Sequence, residues 1–144
     1  MKAVIALFLS LSALLFNPGC RSKVDAPQGD HVTLYINDER GDAWMYHKVF
    51  ADGYMVANLI GEDDESSRAP LDPELSQEIW KLASTVLDSV PEGDYVWLGD
   101  ESFVIIIKMR GRQKQFRLLP TVESPEAPMS LVELWGQLSA LSDW

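Results

Sequence analysis

From His31 onward the chain switches between two hydrophobic periods, and the switches mark its elements. In His31 to Asn37, Val32, Leu34 and Ile36 fall on one side of a two-residue alternation, the pattern of a half-buried strand. Asp38 to Asp42 is a turn cluster, and Ala43 to Phe50 reads as an aromatic-rich extended segment. Ala51-Asp52-Gly53 offers a hairpin turn, because Gly53 can take a positive φ, and Tyr54 to Ile60 returns as a third strand. Residues 61–70 are polar and acidic and read as a loop.

A three-to-four-residue period follows. Asp72-Pro73-Glu74 is a strong helix start: a side-chain cap, a proline at the first helical position and an acid near the positive end of the dipole. Leu75, Ile79, Leu82, Ala83, Val86, Leu87 and Val90 form one apolar face, and Pro91 and Gly93 stop the helix. A second group of strands is expected as a meander: Tyr95 to Leu98, the nearly unbroken apolar run Phe103 to Met109, and Gln113 to Leu119. A proline-rich connection, Pro120 to Pro128, leads to a last helix. Ser130 and Glu133 have the spacing of a capping box there, and Leu131, Leu134, Trp135, Leu138 and Leu141 make the buried stripe. The order βββ-α-βββ-α predicts an α+β domain with an antiparallel or mixed sheet and two helices packed on one face.

The first thirty residues follow other rules. Met1-Lys2 is a short basic start, and Ala3 to Phe16 is 14 residues of apolar or small side chains. As a helix that run reaches roughly 21 Å, against about 30 Å of bilayer hydrocarbon. It matches the core of a secretory signal peptide, whereas a helix buried in the folded domain would show a polar face toward solvent.

Asn17-Pro18-Gly19-Cys20 comes next, and Cys20 is the only cysteine of the chain. A lone thiol cannot form an internal disulfide. The segment 1–20 resembles the signal peptide and lipobox of bacterial lipoproteins. Gly19 and Cys20 fit that pattern, while Asn17 and Pro18 depart from its usual aliphatic and small residues. The resemblance implies cleavage before Cys20, a diacylglycerol thioether on its sulfur and a palmitate-type acyl chain on the new amino terminus. Cleavage by the ordinary signal peptidase is the alternative, but no good Ala-x-Ala site stands nearby. Arg21, where lipoproteins retained in the inner membrane tend to carry aspartate, points to the outer membrane facing the periplasm if the cell is Gram-negative. The expected organisation is a signal peptide at 1–19, a lipid anchor and flexible tether at 20–30, and one domain at 31–144.

Charge narrows the partners. Lys2 is the only charged residue before Cys20, so the remainder keeps all 22 acids and loses one of 12 bases. Such a surface repels nucleic acid and anionic head groups, so the membrane is expected to hold the chain through lipid on Cys20, with another envelope protein as the candidate partner.

Catalytic and metal chemistry find little support. His31 and His47 match no metal spacing, no Gly-x-Ser-x-Gly element supports a serine nucleophile, and packing or surface roles are expected for both histidines. Glu62-Asp63-Asp64-Glu65 lacks calcium-loop spacing and reads as a solvated run. Arg40-Gly41-Asp42 spells the tripeptide that integrins read, but three residues recur by chance and a turn is the preferred meaning. No cofactor is expected. Lys108, Arg110, Arg112, Lys114 and Arg117 concentrate positive charge within ten residues. They are a candidate docking patch for an acidic partner or an anionic polymer, or bases that offset nearby acids and guard a sheet edge.

Two functions follow as expectations: a non-catalytic binding or inhibitory domain on the envelope, or an assembly subunit of an envelope complex. An enzyme is the third and weakest. The element order is loosely similar to bacterial metalloprotease inhibitors of the emfourin type. Their glycine-rich turn is replaced here by Asn37 to Asp42 with the single Gly41, so no inhibitory residue carries over. An exposed patch at Trp44, Trp97 or Trp144 would favour the assembly reading.

Overall fold

The computed structural model describes residues 29–60, 68–97, 99–120 and 123–142. Cys20, the tether up to residue 28, the acidic run 62–65 and Trp144 lie outside the described residues. The strands are β1 His31–Asn37, β2 Ala43–Phe50, β3 Tyr54–Leu59, β4 Ala69–Pro70, β5 Gly93–Val96, β6 Ser102–Met109 and β7 Arg112–Leu119. The helices are α1 Pro73–Ser89 and α2 Met129–Ser139, the second continued by a 3-10 turn, Ala140–Ser142.

The protein has an α+β fold built on one mixed sheet in the order β4-β3-β2-β1-β6-β7-β5. β1 is central, antiparallel to β2 on one side and to β6 on the other. Alternation does what it predicts. Val32 and Leu34 of β1, Phe103, Ile105 and Ile107 of β6, and Phe116 and Leu118 of β7 share one buried cluster with both helices. Ile79, Ala83, Val86 and Leu87 of α1 and Leu131, Leu134 and Leu138 of α2 complete it, all fully buried. A smaller cluster, Tyr46, Phe50 and Val56 with Tyr35 against it, occupies the other face.

Three local expectations are corrected. The second group of strands is not a meander: β5 lies outside β7 and runs parallel to it, pairing Tyr95 with Leu118. Both sides of β6 are taken by β1 and β7, so β5 can pair only at the outer edge. The segment before α1 contains a two-residue strand that pairs Ala69 with Met55. Finally, Ser130 does not cap α2. Pro128 is the N-cap residue and its carbonyl accepts from the amides of Leu131 and Val132. Ser130 lies inside the helix, where its side chain cannot reach the free amides of the first turn.

The start of α1 is as expected. The Asp72 carboxylate accepts from the amides of Glu74 and Leu75 at 3.0 and 3.1 Å. Gly53 takes a φ of 87° in the β2–β3 turn, and Gly41 a φ of 85° in the turn held by Asp38. Arg40-Gly41-Asp42 is thus part of a tight turn, with the Asp42 amide bonded to the Asp38 side chain.

Candidate binding groove

The strand register separates the molecule into two ends. Phe50 and Lys108 stand beside His31, so the β2–β3 and β6–β7 turns share the end at which β1 begins, where the sequence reading puts a tether. Ala43 and Ser102 stand beside Asn37, which puts the β1–β2 turn and the loop before β6 at the opposite end.

The basic residues singled out in the sequence mostly serve the tether end, and they do not form one patch. α1 has no base in its own last turn; residues across the β6–β7 turn supply the charge instead. Arg110 and Arg112 both bond Asp88, at 2.9 and 2.8 Å. Arg112 also donates to the Leu87 carbonyl, and Lys114 to that of Val90, at 3.1 and 3.0 Å. These bonds satisfy carbonyls that every helix leaves open at its C-terminus. The two arginines hold the Asp88 carboxyl below its ordinary range by hydrogen bonding and charge. Lys108 and Arg117 occupy the other face of the sheet: Lys108 lies beside His31, and Arg117 makes a two-pronged pair with Asp94 of β5. That pair pulls the Asp94 carboxyl down and the Arg117 guanidinium up.

His47 is a core residue. It is fully buried on β2, with Leu34 and Ala57 as its neighbours in register. Its Nδ1 lies 2.8 Å from the Leu138 carbonyl, so that nitrogen carries the proton and donates across to α2. Nε2 is buried without a hydrogen-bond partner, and desolvation pushes the imidazole pKa down. Among the described residues, no group of three or more histidine, cysteine or acidic side chains is close enough to hold a metal ion.

The end remote from the tether has a different chemistry. Trp97 follows β5, Phe103 opens the buried side of β6, and Trp135 projects from α2. Their rings meet: Trp97 and Trp135 at 4.3 Å between centroids, Phe103 and Trp135 at 5.3 Å, Trp97 and Phe103 edge-on at 6.1 Å. Together with Gly99, Asp100 and Glu101 they line an open groove of about 370 Å³. A Cβ at Gly99 would run into the Trp97 indole, so glycine is what lets this loop fold back over the ring. Asp100 and Glu101 are exposed at the rim, and neither forms an ion pair among the described residues.

Trp44, 45% exposed, and Ile60, 46% exposed, lie at the same end, where the Ile60 amide bonds the Trp44 carbonyl. Of the tryptophans expected to mark a partner surface, Trp44 is therefore exposed, Trp97 lines the groove and Trp144 is outside the described residues. Phe103 and Trp135 were legible only as core, and the acids of the loop only as a turn. The aromatic–Gly-Asp-Glu–aromatic order over 97–103 is the signal that joins them.

No protein-family model matches this chain, and neither a curated protein nor a solved structure is similar enough to count as a match.

Proposed function

We propose that the chain is a membrane-anchored extracytoplasmic lipoprotein whose folded domain is a non-catalytic binding module. The observation that carries the anchor is the 14-residue apolar run that ends, within four residues, at the only cysteine. One acyl chain holds a protein to a bilayer marginally, whereas two or more hold it stably. A lipidated Cys20 therefore supplies the attachment that an acidic surface cannot supply by charge. No described helix is long and apolar enough to cross a membrane.

Two features support binding over catalysis. The buried histidine is committed to α2 through Nδ1, and its second nitrogen has no hydrogen-bond partner among the described residues. The aromatic groove stands at the end of the sheet opposite His31, the first residue of β1, so it does not lie beside the point where the proposed anchor segment would enter the fold. Trp44 and Ile60, both exposed and joined by a backbone hydrogen bond, favour a second reading, docking into a larger envelope assembly, because exposed apolar patches mark partner surfaces.

Metabolic labelling tests the anchor. Labelled palmitate should enter the wild-type protein and be absent from Cys20→Ser, while a wild-type protein that stays unlabelled would refute the lipoprotein reading.

A further inference from the structure

We infer that the groove at Trp97, Phe103 and Trp135 receives an arginine side chain from a basic segment of a partner protein. The guanidinium lies on the indoles and its charge meets Asp100 and Glu101. The inference names a ligand class for the binding module proposed above and rests on that reading, but it does not depend on the lipid anchor.

The chain already makes this arrangement once within itself. The Arg68 guanidinium lies 4.1 Å from the centroid of the Phe50 ring and 5.7 Å from that of Tyr54, and it bonds the Asp52 carboxylate at 2.9 Å. An aromatic face and a carboxylate thus hold an arginine from outside the β2–β3 hairpin. The groove repeats those ingredients without the cation: aromatic rings on its wall, two carboxylates on its rim, and no base among its lining residues. Aromatic faces attract cations electrostatically, and the planar guanidinium stacks on them while keeping its donors for carboxylates. A chain of formal net charge −10 favours a basic guest on approach and disfavours an anionic one. Gly99, where a Cβ would meet the Trp97 indole, lets the backbone that carries the two acids approach the ring closely.

The test uses the full chain, ¹⁵N-labelled, in a nonionic polyoxyethylene detergent. The probe is a blocked peptide of alternating glycine and arginine; the control peptide carries the neutral isostere citrulline. Indole N–H signals are followed by NMR, and those of Trp97 and Trp135 are assigned from single tryptophan-to-phenylalanine variants. The arginine peptide should shift these two signals and the citrulline peptide should not. The double variant Asp100→Asn/Glu101→Gln should bind about tenfold more weakly, the scale of two exposed carboxylate–guanidinium pairs. Glu74→Gln/Glu78→Gln, which removes the same charge from exposed positions on α1, should stay within about twofold, as expected where only screened long-range charge changes.

Equal weakening by the two double variants would reduce the effect to net charge and overturn the inference. Peptide binding that leaves both indoles unmoved would overturn the groove as its place while leaving the binding-module reading intact. Shifts with a neutral glycan such as a chito-oligosaccharide, and none with the arginine peptide, would overturn the cation as the guest.

Discussion

His47 shows how much one buried side chain can fix. Its Nδ1–H ties β2 to the carbonyl of Leu138 on α2, while Nε2 has no partner to receive if it too became a donor. The folded protein therefore holds the imidazole neutral, with its pKa below the ordinary value of 6.5. For a histidine depressed in this way, the unfolded chain takes up the proton first. Stability is then full above about pH 6.5 and declines as pH falls through that value toward the folded pKa. Urea unfolding at pH 7.5 and pH 5.5 should show a lower midpoint in acid, and His47→Leu should remove most of that difference. Losing the bond to Leu138 would itself cost roughly 1 kcal/mol at neutral pH. The carboxyls of Asp88 and Asp94 shift in the same downward direction, but their contribution is lost only below the carboxylate range, so the two windows separate. Gly99 is a second single-residue test. Gly99→Ala should push the Trp97 indole away from Trp135, read as a changed near-ultraviolet circular dichroism spectrum with the far-ultraviolet spectrum preserved.

At the scale of elements, the start and the buried face of α1 were legible because their signals are local: Asp72, Pro73 and the apolar stripe all act within a few residues of one another. Asp72→Ala removes a cap that accepts two amides and should cost about 1 kcal/mol in thermal or denaturant unfolding. Its other end was not legible. The bases at the C-terminus of α1 come from the β6–β7 turn and the start of β7, more than twenty residues on, and no local pattern announces such a contact. The same reason explains β5. A short strand was expected at Tyr95 to Leu98 and lies two residues earlier, at Gly93–Val96, and whether it pairs with β6 or β7 is decided by β1 occupying the far side of β6. Ser130 and Glu133 have capping-box spacing, yet the preceding Pro128 starts the helix earlier and takes the capping position. The core was the most legible part: Ile105→Ala, in the middle of β6 with no exposed surface, should cost about 2–5 kcal/mol. The candidate groove was the least, since its walls come from a strand, a loop and a helix far apart in the chain.

The whole molecule is organised by its two ends. One carries the start of β1 and the arginines beside the end of α1; the other carries the aromatic groove and the exposed Trp44 and Ile60. Eleven residues from Cys20 to Asp30 can span at most about 40 Å, which bounds how far the domain can stand from an anchor on Cys20. Since the acidic domain gains nothing from anionic head groups, a chain beginning at Arg21 should stay in the supernatant when vesicles rich in phosphatidylglycerol are sedimented at physiological salt. Lipid, on this account, is the whole of the membrane attachment. Intact-mass spectrometry of the protein extracted from membranes tests that most directly: the account predicts a chain starting at Cys20 and carrying the added mass of a diacylglycerol and an acyl group. A full-length chain starting at Met1, recovered from the soluble fraction with an unmodified thiol, would contradict it.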